Sequence, residues 1–196
     1  MMSRIIWVIF LTLQATFAFA RPAFLSIPDG QQLELKADNA IVPFGPILIP
    51  LSKGWSFIWK KPVFMAFSPD EVRLQATFAF DSQAMNDPIK QLAFAEDNRK
   101  RLPEYQMKWV SDFGEVTKPC VEEAQPLERF RFICSSEHLV DGKKEYLIAY
   151  AYVGKWAILF LNFYGKGEAS KGFENSESIL SKAIWDDEPS QQSTQH

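Results

Sequence analysis

Apolar and polar positions alternate along several stretches of this chain, and elsewhere they recur every three or four residues. Trp55, Phe57 and Trp59 alternate with Gly54, Ser56 and Ile58, and Val63 to Phe67 is a short apolar run. Val72, Leu74, Ala76, Phe78 and Phe80 alternate with Arg73, Gln75, Thr77 and Ala79, the period of a half-buried strand. Ser68-Pro69-Asp70-Glu71 separates the two runs as a turn, so the pattern predicts a hairpin. A helix is predicted next. Asp87 suits the N-cap and Pro88 the first helical position, while Ile89, Leu92, Ala93 and Glu96 keep helical spacing. Pro103 is expected to end it, which places Arg99-Lys100-Arg101 in the last turn, where cations complement the helix dipole.

A four-stranded meander is expected from Gln106 onward. Gln106 to Val116, with Trp109 inside it, reads as the first strand. In the second, Phe130, Phe132 and Cys134 point one way and Arg129 and Arg131 the other. Asp141-Gly142 is a two-residue hairpin turn leading to Glu145–Val153, and Gly154-Lys155 is a second tight turn. Trp156 to Tyr164 is almost unbroken apolar sequence, as befits a central strand covered on both faces. Phe173, Ile179, Leu180, Ala183 and Ile184 then form the apolar stripe of a closing helix that stops at Trp185.

The ends of the chain read differently. Arg4, the apolar run Ile5 to Leu13 and an A-x-A pattern finishing at Ala20 make residues 1 to 20 a signal peptide, with cleavage expected after Ala20. Export to a periplasm or the medium follows, and no later segment is long and apolar enough for stable membrane insertion. Residues 21 to 49 are rich in turns and prolines and are expected to lie across the domain surface, with Leu33 to Lys36 as a short edge strand. Residues 50 to 185 form a single domain, and the polar stretch 186 to 196 is a disordered tail. Leu13 to Phe19 recurs as Leu74 to Phe80, but the flanks differ and the match is a coincidence of composition.

Composition narrows the classes of function. The full chain of 196 residues has a formal net charge of −3; losing the signal, whose one charge is Arg4, leaves 176 residues at −4. Nucleic acid is a poor partner for such a chain, because phosphate binding rests on clustered cations. Seventeen Phe, six Trp and five Tyr are enough to build a core without a metal, and no cofactor is indicated. Cys120 and Cys134 are the only cysteines, and export favours a disulfide between them. A hairpin pairing residues 108–118 with 127–134 around Glu122–Gln125 would, however, set Cys134 opposite Ser111. A bridge then requires Pro119-Cys120 to fold back, and the alternative is two buried thiols.

Two strands, a helix, four antiparallel strands and a closing helix, opened by Pro50-Leu51-Ser52-Lys53-Gly54-Trp55, resemble the PsbP-like family, named for an extrinsic photosystem II protein. The resemblance covers about residues 50 to 185 and rests on Gly54-Trp55, on Gly154-Lys155 feeding an apolar strand, and on a final helix near Trp185. It implies an α+β fold, an antiparallel β-sheet of about six strands with two helices packed on it. It also implies a binding or assembly module and no particular reaction.

Residues able to do chemistry are sparse. His138 sits beside a turn and His196 ends the chain, so no zinc-ligand spacing exists. Cys134, Ser135 and His138 are the one arrangement a thiol enzyme would use, and a disulfide would silence it. Glu122-Glu123 and Asp186-Asp187-Glu188 fall in a turn and the tail, not across a cleft as paired catalytic acids require. Gly165-Lys166-Gly167 lacks the remaining glycines of a phosphate loop. Trp55, Phe57 and Trp59 are the candidate binding residues, as an exposed aromatic patch whose default place is the core. The expectation is an exported, non-enzymatic module that binds an envelope or secreted protein. Its rivals are a carrier of a small apolar ligand and an enzyme of unrecognised type.

Overall fold

The alternation between residues 56 and 80 folds as three consecutive antiparallel strands. The computed structural model describes residues 32–36, 40–44, 47–60, 63–125 and 129–185. In chain order they form β1 (Gln32–Glu34), β2 (Ala40–Phe44), β3 (Ile47–Leu51), β4 (Ser56–Lys60), β5 (Val63–Phe67), β6 (Arg73–Phe80), α1 (Pro88–Phe113), β7 (Glu115–Gln125), β8 (Arg129–Val140), β9 (Lys143–Val153), β10 (Ala157–Lys166), α2 (Ala169–Leu180) and β11 (Ile184–Trp185). One antiparallel sheet has eight strands in the order β1-β4-β5-β6-β10-β9-β8-β7; a second has three, β11-β3-β2. The α+β class with two helices is the one expected, with eight strands in the main sheet instead of about six.

Several turns follow their local chemistry. The Val72 amide donates to the Ser68 hydroxyl at 2.9 Å between β5 and β6. Asp141 and Gly142, with φ of 51° and 74°, join Val140 to its partner Lys143, the geometry of a tight hairpin turn.

The main sheet carries a core on each face. On one, Phe57, Phe64, Leu74, Ile148, Tyr150, Leu161 and Phe163 pack with Leu180 of α2 and with Val42, Ile47, Ile49 and Leu51 of the small sheet. The segment from 40 to 51 is therefore inside the domain and not across its surface. On the other face α1 lies over β7, β8 and β9. Leu102 meets Phe132, Ala151, Val153 and Ile158, and Val110 meets Cys134, Leu147 and Ala149.

Four expectations are corrected. Helix α1 continues through Pro103 to Phe113, so most of the strand expected from Gln106 to Val116 is helical and Trp109 stands on the helix surface. Arg99-Lys100-Arg101 lie in mid-helix, where Lys100 pairs with Glu96 at 2.8 Å, Arg101 with Asp97 at 3.2 Å, and Arg99 reaches Glu122 at 2.6 Å. Glu122 to Gln125 are strand residues of β7, not a turn. The last helix ends at Leu180, and Ile184-Trp185 pair instead with β3. The expected signal peptide and the tail at 186–196 lie outside the described residues.

Cys120 and Cys134 are joined by a disulfide with their Cα atoms 4.3 Å apart. The expected obstacle disappears because the true partner strand begins at Glu115 and carries a bulge. Lys118 pairs with Ser135 and Val121 with Ile133, so Pro119 and Cys120 together oppose Cys134.

Candidate functional site

Residues directly opposite one another in a sheet share a face, so the strand registers show which side chains line the α1 side. From β4 to β10 three rows cross it: Lys60, Val63, Thr77 and Phe160; Ile58, Met65, Gln75 and Asn162; Ser56, Phe67, Arg73 and Tyr164. Among the described residues, no element packs over β4, β5 and β6 on this side, because α1 covers the other half of the sheet. Among the described residues, half of the sheet face is therefore left open. Ile58, Met65, Gln75, Thr77 and Phe160 are half-buried there, and Phe67 is exposed.

Helix α1 forms a wall along the open half. Tyr105 and Trp109, one helical turn apart, are 63% and 45% exposed. The Tyr105 ring lies 6.3 Å from that of Phe160. At the far end of the wall the Arg73 guanidinium sits 4.1 Å over the Tyr164 ring. Burial raises the Tyr164 hydroxyl above its ordinary value, while Arg73 and the Trp109 indole beside it work the other way.

At the junction of the open and covered halves stands Asn162, 9% exposed, with no side-chain hydrogen bond among the described residues. It lies between Gln75 on β6 and the small Ala149 on β9. Beneath α1 the Gln106 amide nitrogen is buried without a partner, its oxygen 3.7 Å from Cys134 Sγ. A disulfide sulfur has no hydrogen to donate, so that contact satisfies neither end of the amide.

The opposite face holds a polar cluster beneath α2. Arg131 of β8 is clamped by Glu123 of β7 and, at 3.0 Å, by Glu177 of α2. The Tyr150 hydroxyl pairs with the Ser176 hydroxyl at 2.6 Å and donates to Glu177 at 3.0 Å. Burial is the largest single influence on Arg131 and works against its charge, but Glu123, Tyr152 and Glu177 together outweigh it and hold the guanidinium above its ordinary value. Burial also pushes the Tyr152 hydroxyl up to about 12. Every acid in the cluster is bonded to a base or a hydroxyl, and the arrangement ties α2 to the sheet.

The candidates read from the sequence fall elsewhere. Trp55 and Phe57 are 7% and 1% exposed in the α2-side core, and Trp59 packs edge-on against Phe64 with centroids 5.9 Å apart. They do not form an exposed patch. Cys134 is held in the disulfide, Ser135 shares a 2.8 Å hydrogen bond with Thr117, and His138 contacts the Phe113 carbonyl at 2.9 Å and Glu145 at 3.4 Å. No group of three His, Cys, Asp or Glu side chains close enough to hold a metal occurs among the described residues. Among them, too, no helix is long and apolar enough to cross a membrane. What sequence reasoning missed is the open face, whose row of Ile58, Met65, Gln75 and Asn162 is brought together only by strand register.

A concavity opens where α1 begins. Pro88, Leu92, Ala95 and Phe130 line a groove of about 570 Å³ whose rim carries Glu96, Arg99 and Lys155. Ile89 and Leu92, set at helical spacing, are 82% and 73% exposed beside it.

No protein-family model matches the chain, and no curated protein matches it either. Among solved structures, it is similar to a protein of Bacteroides thetaiotaomicron VPI-5482, with a TM-score of 0.48, 10% identity, and coverage of 77% of this chain and 49% of that one. The chain thus spans about half the length of that protein. It is also similar to LpqN of Mycobacterium tuberculosis, a protein involved in cell envelope biogenesis, with a TM-score of 0.45, 11% identity, and coverage of 79% and 90%.

Proposed function

We propose that this chain is an exported, non-enzymatic binding module whose contact surface is the open half of the main sheet beside α1. The uncovered rows of β4, β5 and β6 carry the proposal, because half-buried apolar side chains with an aromatic wall are what a partner would cover. Export follows from the signal-like residues 1 to 20, and a disulfide suits an oxidising compartment. The PsbP-like resemblance of residues 50 to 185 agrees with a binding or assembly role. The test places a photo-crosslinking amino acid at Met65 of the protein in its own exporting cell, with a second at Glu174 on α2 as control. A product specific to position 65 is expected. None there, or equal labelling at both positions, would sink the reading.

A second reading, a carrier of a small apolar ligand, draws on the groove of Leu92, Ala95 and Phe130. It requires extra mass in a native mass spectrum that is lost on denaturation, whereas the leading reading expects no small ligand held in that groove.

A further inference from the structure

We propose that the Cys120–Cys134 bridge is a reversible redox site, opened and closed by a dithiol protein. Cys120 is the sulfur attacked, Cys134 the sulfur released, and Gln106 a positioning residue beside the released sulfur.

The starting observation is Gln106. Its side chain is 2% exposed beneath α1, its amide nitrogen has no hydrogen-bond partner, and its oxygen lies 3.7 Å from Cys134 Sγ. A buried carboxamide calls for partners at both ends, and a bridged sulfur is a poor one, having no hydrogen and accepting only weakly. Cys134 itself sits among Val110, Leu147 and Ala149. Beside a permanent bridge in such surroundings, leucine would serve without the cost of burying an amide. Opening the bridge changes the match. A Cys134 thiol donates its S–H to the Gln106 oxygen, and a Cys134 thiolate accepts an N–H from the same amide turned over. In either protonation state the reduced sulfur satisfies an end of the amide that the bridged sulfur does not.

Access to the bridge is one-sided. Cys134 is 0% exposed, whereas Cys120 is half-buried on β7 between the exposed Pro119 and Val121. Strand β7 is the last of the main sheet, so no further strand lies outside Cys120 among the described residues. An incoming thiolate bonds to Cys120 Sγ, breaks the bridge and expels Cys134 as a thiolate, which takes a proton from water. The second thiol of the reductant, after losing its proton, attacks its partner sulfur in the mixed disulfide. Cys120 leaves as a thiolate and is protonated, and the reductant departs as a disulfide. Two electrons and two protons have then passed from the dithiol to the bridge, and the reverse steps close it.

The strand pair is held on both sides of the bridge by contacts of its own. Before it, the Thr117 and Ser135 hydroxyls share a hydrogen bond of 2.8 Å; after it, Arg99 holds Glu122 at 2.6 Å and Arg131 holds Glu123. These keep β7 on β8 after reduction, so the dithiol form is folded and only its edge is loosened.

The test equilibrates the protein, purified from its own exporting cell, with mixtures of reduced and oxidised dithiothreitol, and counts thiols by alkylation and mass. Complete and reversible reduction without denaturant is expected, with the far-ultraviolet circular dichroism of the bridged form retained. Gln106→Leu is expected to shift the equilibrium about fivefold toward the bridge, the worth of one modest hydrogen bond. It should also keep or raise Tm of the bridged form, since it removes an unpaired amide. Gln106→Met repeats the measurement should the leucine variant fail to fold. Cys120 in Cys134→Ser is expected to alkylate at least about tenfold faster than Cys134 in Cys120→Ser. Reduction only under unfolding conditions, or equal alkylation rates, would overturn the proposal. So would an equilibrium unmoved at position 106, and a fall in Tm alongside it would make Gln106 a packing residue.

Discussion

Glu137 of β8 caps a helix it does not belong to. Its carboxylate accepts the Ala169 amide at 2.6 Å at the start of α2, while Glu168, the residue in the N-cap position, makes no side-chain cap bond. The Ala169 amide, helped by Lys144 at 3.1 Å, outweighs the opposing effect of burial and holds this carboxyl below its ordinary value of 4.5. A carboxylate with a depressed folded pKa stabilises the protein above its ordinary value, and that stability is lost as pH falls through the folded one. Glu137→Gln is therefore expected to cost about 1 kcal/mol at pH 7. It should also flatten part of the acid limb between about pH 5 and 3, as read from thermal unfolding at a series of pH values. Gly172 makes an opposite point about local rules. Helix propensity favours alanine over glycine by about 1 kcal/mol, yet a Cβ here would come within 2.4 Å of the Tyr146 ring. That ring is confined on its other side by Gly165, its cross-strand partner. Gly172→Ala is expected to destabilise by about 1–3 kcal/mol in denaturant unfolding; a gain would mean that the ring can move aside.

At the scale of elements, strands with strict alternation and recognised turns were legible, because their signals are local. Helix α1 was legible only to Pro103. Proline removes one amide from the ladder and discourages a helix, but Leu102, Gln106 and Val110 carry a buried stripe at four-residue spacing across it. Tertiary burial outweighs one lost hydrogen bond. That error displaced the next strand and with it the expected register around the cysteines, although the disulfide itself was favoured from compartment and count. The bridge spans β7 and β8 next to the bulge at Pro119-Cys120. Replacing both cysteines by serine is expected to lower unfolding stability by about 3 kcal/mol. A denaturant midpoint equal to that of the unreduced parent would show that the strand pairing alone holds this edge of the sheet.

For the whole molecule, the α+β class was legible and the second sheet was not. Strands β2 and β3 are short and contain Pro43 and Pro50, and β3 finds its other neighbour at Ile184-Trp185, far along the chain. No local pattern announces such a pairing. The candidate site was not legible for the same reason: Trp55, Phe57 and Trp59 read as a patch but belong to the α2-side core, and the open face depends on α1 covering one half of the sheet, which no local pattern announces.

The joining of β6 to β10 and of β3 to β11 has a consequence for the order in which the protein can be assembled. Strands β1, β4, β5 and β6 are made early, yet β6 stays an unpaired edge until β10 follows, and the β2–β3 hairpin lacks its third strand until residue 185 exists. Contacts this distant in sequence form late, since loop closure must precede any gain from them. Until Ile184-Trp185 have been made, a nascent chain of this design has no finished core to lock it and can still be threaded as an extended polymer.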